Sequence, residues 1–302
     1  MKKLNKIVFV LVIALLSLTA FAALAEQTAV LDKEAFDTLV ANGPVASDEA
    51  IAASEWATKV KNAGVLRIGG TESSLLFGQL DETDSRYRGF DAGLYQLLAK
   101  YILGDSDAFQ LTQVMSSTRE EILITYKVDA VFATYSILPS RQEVISFAGP
   151  YFTSKKGILV DINNEEIKGL DDLADKIVAT QAGSSGPAII AQYAPQAIIA
   201  EYDDDSFARD AVETGRADAY ITDYTLILSN VVKNPGKYKN VDIFGEDDNY
   251  GIGLPKDSDG VAFVNAFLAE IEDAGLWTEL WQITIGNRTG ETAPAAPAIG
   301  VE

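Results

Sequence analysis

Short apolar segments typical of strands alternate with amphipathic segments typical of helices along this chain, and this alternating pattern occurs twice. The first run predicts strands over 65–69, 109–114 and 130–133, with helices over 92–102 and 118–126. The second run, over 156–222, repeats the same order of elements. Repeated strand–helix–strand units require a mainly parallel sheet covered by helices. The chain is therefore predicted to be an α/β protein with two units of about 100 residues each.

The first 25 residues are typical of an export signal. Lys2, Lys3 and Lys6 precede an apolar stretch over 7–16, and Ala23-Leu-Ala25 offers a small-residue cleavage site. We expect cleavage after Ala25 and a periplasmic protein, although an uncleaved membrane anchor is the alternative. The chain has no cysteine, so a lipid-anchored cysteine and disulfides are excluded. Residues 26–50 are expected to form a flexible lead-in, and residues 289–302, rich in proline, alanine and glycine, a disordered tail.

Composition narrows the possible functions. The 302 residues include 44 acidic and 24 basic side chains and no histidine, with a formal net charge of −20. Such a charge argues against nucleic acid as a partner. Without histidine and cysteine, the usual general base, the usual thiol nucleophile and the common zinc ligands are missing. We therefore favour a binding protein over an enzyme and expect no catalytic residues, metal or cofactor.

The segment 128–141 suggests what is bound. It ends an apolar strand with the hydroxyls of Thr134 and Ser136, and Arg141 follows. A planar guanidinium can hold both oxygens of a carboxylate, and loop hydroxyls and N–H groups can support it. The alternative is a surface turn with an incidental arginine, since these are ordinary loop residues.

Several motifs, taken in order, resemble the extracytoplasmic solute-binding proteins of amino-acid ABC transporters, bacterial family 3. The resemblance extends over residues 56–286 and is nearest to the glutamate/aspartate-binding branch. The motifs are Gly64–Gly69, Tyr87–Asp91, Thr134–Ile137, Arg141, Phe147–Phe152, Gly183–Ser185, Thr222-Asp223, Tyr250–Lys256 and Gly275–Trp277. The resemblance implies the two-lobed type II periplasmic-binding-protein fold with a two-strand hinge. Lobe 1 would comprise 51–152 and 248–288, and lobe 2 would comprise 153–247.

The resemblance also implies roles for individual residues. Arg141 would hold the ligand α-carboxylate with Thr134 and Ser136, and Asp223 would accept from the α-ammonium. The alternative for Asp223 is a helix N-cap. Ser184 and Ser185 precede a predicted helix, where they would hold the carboxylate from lobe 2 or simply cap that helix.

Ligand identity depends on a second group of residues. In acidic-amino-acid binders, the arginine matching Arg119 reaches the side-chain carboxylate, and a hydroxyl matching Ser116 supports it. Pairing of Arg119 with Glu120 or Glu121 on a helix surface is the alternative. Glutamate binders often carry a second basic residue after the first strand, where this chain has Thr71, so glutamine stays open.

The implied function is periplasmic capture of an acidic or polar L-amino acid by hinge closure and delivery, as a monomer, to a membrane ABC permease. Glutamate is the first choice, then aspartate or glutamine. An enzyme on the same scaffold, using Glu72 or Asp223, is one alternative. A sensory module that presents the same ligand to a receptor is another.

Overall fold

A computed structural model describes residues 30–300, and its centre is an eight-stranded mixed sheet. The strand order is β5-β1-β6-β11-β7-β10-β8-β9, and β2, β3 and β4 form a separate three-stranded sheet. The strands are β1 (Leu66–Gly70), β2 (Ser73–Ser74), β3 (Gly78–Asp81), β4 (Arg86–Arg88), β5 (Phe109–Gln113), β6 (Ala130–Phe132), β7 (Ile145–Asp161), β8 (Ile177–Gln181), β9 (Ile198–Tyr202), β10 (Ala219–Asp223) and β11 (Tyr238–Pro255). β1 runs parallel to β5 and β6, and β8 runs parallel to β9 and β10.

Two long antiparallel strands join the two parallel groups. β7 and β11 pair from Tyr238↔Asp161 to Pro255↔Ile145, with three register shifts on the way. One end of the pair carries β6 and β1, and the other end carries β10 and β8. The predicted chain crossings near 150–154 and 246–250 fall inside these two strands. The bounds of the two lobes stay a prediction.

Helices cover the sheet. They are α1 (Lys33–Ala41), α2 (Asp48–Ala52), α3 (Glu55–Ala63), α4 (Phe90–Leu103), α5 (Arg119–Ile124), α6 (Pro139–Gln142), α7 (Gly186–Tyr193), α8 (Asp205–Glu213), α9 (Tyr224–Lys233), α10 (Gly260–Asp273), α11 (Leu276–Trp281) and α12 (Asn287–Thr289). A 3₁₀ turn covers Leu170–Leu173, and a π-helical turn covers Gln282–Gly286. The central helix α4 follows Gly89 and ends at Gly104, whose φ angles of 136° and 78° favour glycine.

The hydrophobic cores follow the two-residue period of the strands. On β7, Ile158 and Val160 pack on one face of the sheet, whereas Leu159 packs on the other. On β10, Ile221 and Tyr220 divide in the same way. Because helices cover both faces, these strands are apolar throughout rather than alternating. The second repeat of the sequence therefore has a core on each side of its sheet.

The prediction of a flexible lead-in over 26–50 is wrong for residues 30–50. α1 is capped by Asp32, whose side chain accepts from Ala35 N at 3.0 Å, and its Phe36 is buried in the largest core. The buried guanidinium of Arg88 also pairs with Asp37 of α1 at 2.8 Å. A stripe of apolar residues gives this segment something to bury, so it packs as a helix. The signal peptide and its cleavage site after Ala25 lie outside the described residues.

The prediction of a disordered tail is also wrong for residues 289–300. α12 includes Thr289, and beyond it the chain has no regular structure as far as residue 300. Ala293, Ala296 and Ile299 nevertheless pack against the largest core, and Gly300 N donates to Gly149 O at 2.8 Å. Composition alone did not reveal these anchors, because they are three separate apolar contacts and one backbone hydrogen bond rather than a continuous apolar pattern. Among residues 30–300, no helix combines the length and the hydropathy that a bilayer span requires.

Replacing Phe36 tests whether the N-terminal helix is part of the folded unit. Because the Phe36 side chain is fully buried, Phe36→Ala is expected to lower the free energy of unfolding by about 3–5 kcal/mol. The exposed Thr38 lies on the same helix, and Thr38→Ala is expected to change the free energy by less than about 0.5 kcal/mol. Urea unfolding would measure both. If the two variants are equally stable, α1 does not contribute to the folded core.

Candidate ligand-binding cleft

The predicted binding residues meet at one edge of the sheet. Thr71, Thr134 and Asp223 stand at or just after the carboxyl ends of β1, β6 and β10, and Gln181 ends β8. In open α/β sheets this edge is where ligands bind. Two adjoining cavities open here, and both are lined by Ser116, Arg119, Thr134, Gln181 and Leu226. Residues of both strand groups thus line one continuous cleft.

Arg119 is the guanidinium that faces the cleft. Its side chain is 5% exposed, and it donates to Ala133 O at 3.0 Å and to Ser116 O at 3.3 Å. Its Cζ lies 4.2 Å from the centre of the Tyr135 ring. Burial, with the nearby Arg141, lowers the pKa of Arg119 to about 10. Among residues 30–300, no carboxylate lies within ion-pair distance of it, so pairing with Glu120 or Glu121 is not observed.

Arg141 lies behind the cleft wall rather than on it. Its guanidinium donates to Ser136 O at 2.8 Å and to Gly183 O at 3.1 Å, and its Nε lies 3.2 Å from Glu120 Oε1. Arg141 is absent from the residues that line either cavity. Its predicted grip on a carboxylate would require exchange of these contacts. That role stays a prediction.

Thr134 is held in an unusual backbone conformation by a buried carboxylate. Its φ angle of 43° lies in the left-handed region, which β-branched residues rarely adopt. Its N–H donates to Asp91 Oδ2 at 2.9 Å, and Asp91 Oδ1 accepts from Tyr151 Oη at 2.8 Å. The amide of Thr134 is therefore already bonded, and its side chain is what lines the cleft. Asp91, the last residue of the Tyr87–Asp91 motif, therefore supports the cleft from behind Thr134.

A buried lysine, which the sequence analysis missed, sits between two aspartates in the cleft. Lys156 Nζ contacts Asp223 Oδ1 and Asp248 Oδ2, and it donates to Ser185 Oγ at 2.7 Å. Asp223 also accepts from Tyr250 Oη at 2.7 Å. Although Asp223 occupies the N-cap position of α9, its side chain makes no capping hydrogen bond. The N-cap alternative for Asp223 is therefore wrong.

Strand register explains how these three side chains meet. Lys156 of β7 stands directly opposite Asp223 of β10, and such pairs bring Cβ atoms within about 5.5 Å. Asp248 of β11 stands opposite Ser154, two residues from Lys156 and so on the same face. Lys156 also shares its face with Ile158 and Val160. This two-residue period was the signal that could have marked it as buried.

The three charged side chains of this cluster shift one another's pKa values. Burial disfavours the charged lysine, but Asp223 and Asp248 outweigh burial and raise the pKa of Lys156. Burial likewise opposes ionised Asp223, yet Lys156 holds the pKa of Asp223 below its usual value. Burial and the neighbouring Asp223 raise the pKa of Asp248 to about 6. The cluster therefore contains an ionised Lys156–Asp223 pair and a second carboxylate, Asp248, which takes up a proton more readily than Asp223 does.

The remaining predicted residues divide between lining the cleft and supporting it. Ser136 Oγ donates to Asp248 Oδ2 at 3.0 Å, within the cluster. Ser184 Oγ donates to Gln181 O at 2.7 Å and accepts from Gly186 N at 3.0 Å, whereas Ser185, the N-cap residue of α7, makes no side-chain capping hydrogen bond. Ser116 lines both cavities, whereas Thr71 lines one and donates to Gly78 O at 3.2 Å.

Comparison with known proteins decides the family. The sequence profile of the bacterial extracellular solute-binding proteins, family 3, matches residues 66–285, which include the cleft. This chain belongs to that family. The glutamine-binding protein of Geobacillus stearothermophilus is 30% identical over 247 residues, 82% of this chain and 90% of the relative. The glutamate-binding protein GluB of Corynebacterium efficiens is 30% identical over 219 residues, 69% and 74% of the two chains.

Solved structures of similar proteins agree with this family membership. The cysteine-binding protein from Campylobacter jejuni superposes with a TM-score of 0.73 at 26% identity, covering 79% of this chain and 96% of its own. An ancestral arginine-binding protein bound to glutamine superposes with a TM-score of 0.67 at 28% identity, covering 74% and 98%. This solute-binding protein thus has the two-lobed type II α/β fold that was predicted. The recognition of its family from short ordered motifs is confirmed.

Asp91 is expected to make the stability of this solute-binding protein depend on pH. Burial raises the pKa of Asp91 to about 7, from a usual value of 3.8. Between these values the folded protein keeps a proton that the unfolded chain releases, so the free energy of unfolding falls as pH rises towards 7. One such proton contributes a slope of at most about 1.4 kcal/mol per pH unit. Asp91→Asn should remove this contribution, and urea unfolding of both proteins between pH 5 and 8 would measure it.

The difference between the two unfolding curves isolates Asp91 from the other carboxylates of this acidic chain. The free energy of unfolding of the unaltered protein minus that of Asp91→Asn should fall steadily from pH 5 to 7. It should level off above pH 7, where Asp91 is ionised in both the folded and the unfolded state. A difference that stays constant across this range would contradict the proposed titration of Asp91.

Proposed function

We propose that this solute-binding protein captures an acidic or polar L-amino acid outside the cytoplasm and presents it to an ABC permease. L-Glutamate is the first choice, followed by L-aspartate or L-glutamine. The observation that carries the choice of an acidic ligand is Arg119, a buried guanidinium on the cleft wall without a carboxylate partner among residues 30–300. The relatives named for glutamine and glutamate support the same class of ligand.

In this proposal each end of the ligand has its own partner. The side-chain carboxylate is held by Arg119 with the hydroxyl of Ser116, and Thr71 adds a polar neighbour in the same cavity. The α-carboxylate lies towards Thr134, Ser136 and Ser185, and Arg141 is released from Gly183 to reach it. The α-ammonium is accepted by Asp223.

A binding role is favoured over catalysis on the same scaffold. Glu72, one candidate acid, accepts from Tyr87 Oη at 2.8 Å and lines neither cavity. Asp223, the other candidate, is paired with Lys156 and kept ionised, so it is a poor proton donor. We infer that the protein is a monomer whose two lobes close around the ligand, and that it uses no cofactor or metal. Lobe 1 comprises residues 51–152 and 248–288, and lobe 2 comprises residues 153–247. Turnover of a bound ligand would instead favour the enzyme.

A thermal-shift panel of the twenty L-amino acids on ligand-stripped protein tests the ligand class. A ligand present at about 100 times its Kd adds about 2.7 kcal/mol to the stability of the folded protein. The largest rise in Tm is expected with L-glutamate, and smaller rises with L-aspartate and L-glutamine. If none of the twenty raises the Tm, the amino-acid assignment falls.

Arg119→Gln tests the side-chain subsite. Loss of a charge-assisted hydrogen bond should weaken L-glutamate binding by about 10- to 100-fold, with a smaller effect on L-glutamine, whose amide carries no charge. Isothermal titration calorimetry would measure both ligands, with the ligand-free Tm recorded alongside. Arg216→Gln makes the same charge change at an exposed position and serves as the control. Equal losses for glutamate and glutamine would mean that Arg119 does not contact the side-chain carboxylate.

A further inference from the structure

Lys156 places an ammonium group of the chain where a ligand ammonium is expected. Its side chain is 4% exposed, it lines the cleft, and its Nζ contacts Asp223, Asp248 and Ser185. An ammonium has three donors, and these three oxygens can use all of them. Asp223 is the residue that the proposed function assigns to the α-ammonium. That carboxylate therefore has a cationic partner within the chain itself.

The consequence concerns ligands that lack an amino group. A buried carboxylate that awaits a ligand ammonium strongly rejects an analogue without one, because the carboxylate is left unpaired in a dry site. Here Lys156 and Tyr250, both residues of the chain, satisfy Asp223. The usual penalty against an amino-free ligand is therefore absent from this cleft.

Charge balance also allows an amino acid to bind. Asp223 and Asp248 carry two negative charges when both are ionised, and Lys156 compensates one of them. A ligand ammonium that takes Asp223 leaves Asp248 as the partner of Lys156, and Ser136 holds Asp248 in place at 3.0 Å. The raised pKa of Asp248 indicates that its charge is the less stabilised one until a second cation arrives. The same cluster can thus accept a ligand with or without an ammonium.

The other end of such a ligand meets a fixed anion subsite. Arg119 lines both cavities, and Lys156 lines the second beside Asp223 and Ser185. A ligand carboxylate at Arg119 therefore adjoins the Lys156 cluster whether or not the ligand has an amino group. We propose that this cleft also binds dicarboxylates without an amino group, because Lys156 supplies the ammonium that those ligands lack. The inference rests on the proposed function in that both ligand classes share the Arg119 subsite.

Calorimetric titration with L-glutamate and with glutarate, which is glutamate without its amino group, tests the inference. The protein is expected to bind glutarate within about tenfold of L-glutamate, since Asp223 is satisfied either way. Binding of L-glutamate but not of glutarate would overturn this inference and leave the proposed function standing. Binding of glutarate alone would overturn the proposed amino-acid function and keep the inference. Binding of neither would overturn both.

Removing the lysine charge tests whether Lys156 causes the broad specificity. Lys156→Gln alone leaves two buried carboxylates without a cation, so we pair it with Asp248→Asn, which keeps the net charge and spares Asp223. In this double variant glutarate should bind at least about 100-fold more weakly than L-glutamate, because it leaves Asp223 without a cation. An unchanged ratio of the two affinities would contradict the role of Lys156.

The chain offers a matched control next to the cluster. Lys155 and Asp247 are the sequence neighbours of Lys156 and Asp248, they lie 3.7 Å apart, and both are exposed. Lys155→Gln with Asp247→Asn makes the same chemical change outside the cleft. It should leave the ratio of glutarate to L-glutamate affinity as in the unaltered protein.

Discussion

The antiparallel pairing of β7 with β11 is the constraint on which the rest of this structure depends. These two strands share their hydrogen bonds over most of their length and carry one group of parallel strands at each end. The two groups of parallel strands are connected within the sheet only through this pair. The cleft forms where the carboxyl ends of the two groups face each other, so its residues come from distant parts of the chain. A residue on β7 or β11 can therefore contact both sides of the cleft.

Lys156 of β7 and Asp248 of β11 are two residues in such a position between the two sides of the cleft. Each lies on one of the long strands, and Asp223 joins them from β10 because the register sets it opposite Lys156. Buried charges are costly unless they are paired and hydrogen-bonded, and here Tyr250, Ser136 and Ser185 supply the remaining hydrogen bonds. The cluster links the hinge strands electrostatically to the bottom of the cleft.

Two arginines flank one aromatic ring but serve the cleft differently. The Cζ atoms of Arg119 and Arg141 lie 4.2 and 4.9 Å from the centre of the Tyr135 ring, which belongs to the loop after β6. Arg141 bonds to Gly183 across the cleft, whereas Arg119 faces the cavities. Burial and the nearby Arg141 lower the pKa of Arg119, so the charge on Arg119 is the one that an anion in the cleft would stabilise.

Sequence by itself determined the fold class, the doubled α/β pattern, the family and several of the cleft-lining residues, because these depend on local periodicity and on short motifs at strand ends. Thr71, Ser116, Arg119, Thr134 and Asp223 all reach the cleft as expected. Only the tertiary structure decided that Arg141 lies behind the wall, that the segments around Phe36 and Ile299 pack on the core, and that Lys156 pairs with Asp223 and Asp248. These depend on which strands become neighbours and in what register, and a charge in a strand carries no local sign of the partner that a distant strand will bring to it.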